Sequence, residues 1–113
     1  MAGLIVVASD IPGAEDMRDM LLAYGFRSEL RGYFEAILLG DPVALILSVY
    51  SDSVPVDDRV KGLRGNGYQG VIMVLGRTSP DLGLRQRLAE QKAWFLPAYS
   101  GPGDIVSRLR QML

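Results

Sequence analysis

The side chains that could do chemistry in this sequence are few, and most stand just after short apolar runs. Ser48 follows Val43-Ala44-Leu45-Ile46-Leu47, Ser9 and Asp10 follow Leu4-Ile5-Val6-Val7-Ala8, and Gly76-Arg77-Thr78 follow Val71-Ile72-Met73-Val74-Leu75. A serine becomes a nucleophile when a base activates it. The sequence has no histidine and no cysteine, so the commonest general base, thiol nucleophiles and sulfur-held metals are all absent. Neither of the two lysines, Lys61 and Lys92, is placed near Ser48. The expected role of Ser48 is therefore to fill its pocket and hydrogen-bond the backbone. Asp10 and Asp52 could together hold a cation, but two loosely placed carboxylates read better as a helix cap and a solvated turn, and no metal is expected. Arg77 precedes a capped helix start, where backbone donors and a guanidinium fork favour anions. With Ser9, Ser48 and Thr78 it outlines a candidate anion or nucleotide site. The plainer reading, a surface arginine, is preferred. No glycine-rich phosphate loop is present, because Asp10-Ile11-Pro12-Gly13 lacks the spacing.

These residues must be positioned by alternating elements. Leu4–Ala8, Val43–Val49 and Val71–Leu75 are continuous apolar runs, the mark of strands buried on both faces. Arg27–Arg31, with Leu30 facing inward, and Ala93–Leu96 complete five expected strands. A first helix is expected after Ser9-Asp10 and Pro12, with Met17, Met20, Leu21 and Tyr24 at helical spacing and Gly25 as its stop. Further helices are expected over Tyr33–Leu39, over Asp57–Leu63 before Gly65-Asn66-Gly67, and through Leu82, Leu84 and Leu88 after a Ser79 cap. The last helix follows Gly101-Pro102-Gly103-Asp104 and sets Ile105, Val106, Leu109 and Met112 on one side. Strands alternating with helices imply an α/β fold: a doubly wound, five-stranded parallel sheet with helices on both faces.

Composition narrows the function. A chain of 113 residues, 49% of them apolar, is read as one domain over residues 1–113. Twelve basic residues against 13 acidic ones give a net charge of −1, which argues against a dedicated nucleic-acid or membrane surface. No run approaches the ~20 apolar residues of a membrane span, and the amino terminus lacks a signal-peptide pattern. A cytoplasmic protein is expected.

The order, lengths and turns of these elements resemble the receiver domain of bacterial response regulators, the CheY-like (flavodoxin-like) fold. The resemblance rests on Leu4-Ile5-Val6-Val7, Tyr24-Gly25-Phe26, Asp41-Pro42 before the third strand, Val71–Leu75, and the closing Ile105-Val106-Ser107-Arg108-Leu109. It implies a phosphate-accepting aspartate at the end of the third strand, two acids after the first, a hydroxyl residue after the fourth and a lysine after the fifth. Here the acceptor position is Ser48. The acidic pair maps to Ala8 and Ser9, with Asp10 one place late. The hydroxyl position is Gly76, with Arg77 next. The lysine maps to Ala98, or to Leu96 if Pro97 is aligned instead. Phosphoryl transfer to a receiver needs a carboxylate nucleophile and a magnesium ion held by hard oxygens. The resemblance is thus to the degenerate pseudo-receivers, and neither aspartyl phosphorylation nor a cofactor is expected.

The expected activity is not enzymatic. The resemblance implies a phosphorylation-independent signalling or transcription-control domain that binds a protein partner or a second copy of itself, with a possible output domain after it in a longer parent protein. The alternative is a small anion or nucleotide sensor. In receivers the fourth helix, fifth strand and fifth helix form a contact face, so Arg85, Trp94, Tyr99 and Arg108 are the candidate interface residues. Alternate strand residues face opposite ways, so one of Trp94 and Phe95 is expected in the core.

Overall fold

Strand formation follows the apolar runs closely. The computed structural model describes residues 3–9, 11, 13–32, 41–48, 56–76, 82–97 and 102–113. Its strands are β1 (Leu4–Ala8), β2 (Arg27–Arg31), β3 (Ala44–Ser48), β4 (Val71–Gly76) and β5 (Ala93–Pro97). Every pairing is parallel and the strand order is β2-β1-β3-β4-β5. The interior strands β1, β3 and β4 supply most of the core, because both of their faces are covered. Edge strand β2 reads Arg-Ser-Glu-Leu-Arg; it buries Ser28, half-buries Leu30, and exposes Arg27 and Glu29. Charges on an edge of this kind discourage pairing with another chain.

The helices are α1 (Ala14–Ala23), α2 (Val56–Gly65), α3 (Leu82–Glu90) and α4 (Pro102–Met112). Contacts join α1 to α4 and α2 to α3. Right-handed crossovers place the two pairs on opposite faces of the sheet. Leu21, Val60, Leu88 and Leu109 are the side chains that close the core from these helices. No helix among the described residues is long and apolar enough to cross a membrane. The helix expected over residues 33–39 lies outside the described residues.

Local chemistry explains most boundaries. Gly25 has φ 92°, and the Phe26 and Gly25 N–H groups donate to Leu21 O and Leu22 O at 3.0 Å each, so α1 ends in a Schellman turn. Gly67, with φ 91°, ends α2 in the same way: the Tyr68 N–H donates to Leu63 O at 3.1 Å. Two expectations need correction. The residue at the start of the first helix is not an aspartate or serine cap. Its N-cap is Gly13, with φ 74° and no side-chain cap bond. The chain first turns tightly, Ile11 N–H to Ala8 O and Ala14 N–H to Ile11 O, and so buries Ile11 before the helix begins. Tyr24 keeps the helical spacing of the core residues but is 47% exposed, because it stands in the turn after the last helical residue.

Candidate functional site

In an open parallel sheet, ligands gather at the carboxyl ends of the strands, where the strand order reverses. The reversal here is at β1, which pairs with β2 on one side and β3 on the other. Ala8 ends β1 and is buried, and Ser9 follows it, exposed, its N–H bonded to Arg31 O at 2.9 Å. Ser48 ends β3 in register with Leu75, and Gly76 ends β4 in register with Pro97. Ala8, Ser48 and Gly76 therefore stand at the carboxyl ends of three neighbouring strands. Asp10, Asp52, Arg77, Thr78 and Ala98 lie outside the described residues. Leu96, the other position considered for a lysine, is buried in β5.

At the β5 edge the alternation resolves itself. Phe95 packs against the core and Trp94 is 51% exposed. Arg85 on α3 and Arg108 on α4 are exposed. The preceding helix α3 packs on β5, and α4, which follows β5 in the chain, packs against α1. Tyr99 lies outside the described residues.

The opposite, amino-terminal end of the sheet holds a polar cluster that sequence reasoning missed. Arg64, in the last turn of α2, donates to four backbone carbonyls. They are Tyr68 O at 3.0 Å, Gly70 O at 2.8 Å, Gln91 O at 2.8 Å and Lys92 O at 3.1 Å. Its guanidinium also lies 5.7 Å from the centroid of the Tyr68 ring. The Tyr68 hydroxyl donates to Pro42 O at 3.0 Å, which ties in the start of β3. Burial pushes the Tyr68 phenol up to about 12, and the positive charge of Arg64 pulls it partly back. An open depression of about 780 Å³ borders this cluster and reaches Trp94. The available signal was a basic residue in a final helical turn, where free carbonyls gather, followed by a glycine stop and an aromatic residue.

The architecture has many solved counterparts. The chain is similar to chemotaxis protein CheY4 of Vibrio cholerae, with a TM-score of 0.85, 16% identity and 100% of each chain covered. It is similar to a response-regulator signal receiver domain from Bermanella marisrubri, with a TM-score of 0.80, 19% identity, and 99% of this chain and 98% of that one covered. The fold is that of the receiver domains. A longer protein, the response regulator DrrB of Thermotoga maritima, described as an OmpR/PhoB homologue, matches with a TM-score of 0.78 and 16% identity over 98% of this chain and 52% of its own. No protein-family model matches the sequence, and no curated protein does.

Proposed function

We propose that this receiver-fold domain belongs to a two-component signalling or transcription-control system and acts by protein contact, without aspartyl phosphorylation. The observation that carries the reading is the residue set at the carboxyl ends of three adjacent strands. Ala8, Ser48 and Gly76 occupy the sites where the resemblance calls for carboxylates and a hydroxyl. None of the three side chains can accept a phosphoryl group as a carboxylate does, and none offers magnesium an anionic oxygen. The domain is therefore read as non-enzymatic.

Incubation with acetyl phosphate and magnesium tests this directly. Intact mass should stay unchanged; a phosphorylated species lost on Asp10→Asn or Asp52→Asn substitution would overturn the reading. The contact surface in this proposal is the edge bearing Trp94, with Arg85, Arg108 and the sequence candidate Tyr99 as further contact residues, and its first occupant is a second copy of the chain. An exposed tryptophan at the centre of such an interface is worth about 2 kcal/mol, or about 30-fold in affinity. Trp94→Ala should weaken self-association by that factor in sedimentation measurements. A monomeric wild-type protein at all accessible concentrations would instead direct the search to another partner or to an output domain in a longer parent protein.

A further inference from the structure

We infer that Arg64 is a positioning residue for Trp94: from α2 it holds the turn that launches β5, and so sets where the exposed indole stands. Three observations meet at that turn. Lys92 has φ 57°, a left-handed conformation that a residue with a side chain rarely adopts. The turn is closed from within by Gln91 N–H to Leu88 O at 3.1 Å and Lys92 N–H to Ala89 O at 3.0 Å. It is held from outside by Arg64, whose Nε–H donates to Gln91 O at 2.8 Å and whose NH2 group donates to Lys92 O at 3.1 Å.

A strained backbone persists only where its surroundings over-determine it. At Lys92 the surroundings add to the turn's own backbone bonds one guanidinium from a different helix. The same guanidinium holds Tyr68 O and Gly70 O, which lead into β4, the strand that β5 pairs with. One planar fork therefore fixes the starts of two adjacent strands relative to each other. Trp94 is two residues beyond the held carbonyl, in register with Met73 of β4, and it lines the same depression as Arg64. Lysine could not replace the fork, because an ammonium has no planar array of donors and cannot span carbonyls in two loops at once.

The placement of Trp94 needs no partner. Only its bearing on recognition rests on the contact reading above, so the two can fail separately. Trp94 is the sole tryptophan of the chain, so its fluorescence reports this position alone. Arg64→Lys should shift the emission maximum by several nanometres and change acrylamide quenching, while far-UV circular dichroism remains native. Adding Lys92→Gly, which removes the left-handed strain, should return both signals toward wild type. An Arg64→Lys protein that melts earlier with unchanged emission and quenching would overturn the inference, leaving Arg64 a purely stabilising residue. Should that variant fail to fold, the native protein decides by NMR. The Arg64 Nε–H must be protected from solvent exchange and correlate with the Gln91 carbonyl, and rapid exchange without that correlation would overturn the inference equally.

Discussion

Removing one hydroxyl, by Tyr68→Phe, tests the cluster at the amino-terminal end of the sheet in two independent ways. The hydroxyl donates to Pro42 O at 3.0 Å, and its ring lies 5.7 Å from the Arg64 guanidinium. The substitution deletes a partly buried hydrogen bond and leaves a carbonyl short of a donor, at a cost of about 1–2 kcal/mol. That corresponds to a fall in Tm of about 4–8 °C per kcal/mol for a small domain. The second signature is pH. Burial raises the Tyr68 phenol from 10.0 to about 12. A phenol so raised holds its proton more tightly in the native state than in the unfolded chain. Its contribution is therefore complete below the unfolded pKa of 10.0 and is lost as pH climbs toward about 12. Two pH units set an upper limit of about 2.7 kcal/mol. The phenol is only partly buried, so solvent screening reduces this to about 1–2 kcal/mol. The variant has nothing to titrate at this position. Wild type should lead it by about 1–2 kcal/mol near pH 8, and the lead should shrink by about half near pH 11. Urea unfolding of both proteins across this range provides the assay, and the other tyrosines and the lysines cancel in the difference. A lead that stays constant, or that grows with pH, would refute the picture of a buried, donating phenol.

Two further substitutions separate the parts of the fold that bear stability from those that do not. At Gly70 an added Cβ would collide with the Tyr68 hydroxyl and stand 2.9 Å from Val43 O, a backbone atom already accepting the Val71 N–H at 3.0 Å. Gly70→Ala should therefore cost about 1–3 kcal/mol, read as a lower urea midpoint at an unchanged slope. Arg87, by contrast, pairs with Asp57 at 2.7 Å between α3 and α2, but its side chain is 54% exposed. Arg87→Ala should change stability by less than about 1 kcal/mol in the same assay.

The strands were legible because burial on both faces leaves no room for polar residues. Leu4–Ala8 appears as read, Val71–Leu75 gains Gly76 at its end, and the run from Val43 forms β3 from Ala44 to Ser48, with Val49 outside the described residues. Edge strand β2 was also legible over Arg27–Arg31, although Ser28 is buried more deeply than Leu30, the residue expected to face inward. Helical spacing alone misplaced Tyr24, because periodicity does not mark where a helix stops. Alternation required one of Trp94 and Phe95 to be outside, but choosing between them needed the edge position of β5 and the helix packed against it. The carboxyl-end residues could be named in advance, since strand ends follow directly from strand limits. Arg64 was missed because its last-turn position hints only at nearby carbonyls, whereas two of its four partners are backbone carbonyls 27 and 28 positions away that no side-chain pattern announces.

A sheet of this type can lose its chemistry and keep its shape because the two are supported at different ends. The described core is apolar along the interior strands, from Leu4 to Ala8, Ala44 to Leu47 and Ile72 to Leu75. The densest group of side-chain hydrogen bonds among the described residues, centred on Arg64 and Tyr68, lies at the amino-terminal end. Replacing clustered carboxylates by Ala8 and Ser48 would also relieve like-charge repulsion and the desolvation of buried acids, both of which oppose folding when no cation is bound. Neutralising acids at the carboxyl end thus favours folding of a cation-free scaffold, whereas substitution at Arg64, Tyr68 or Gly70 disturbs it.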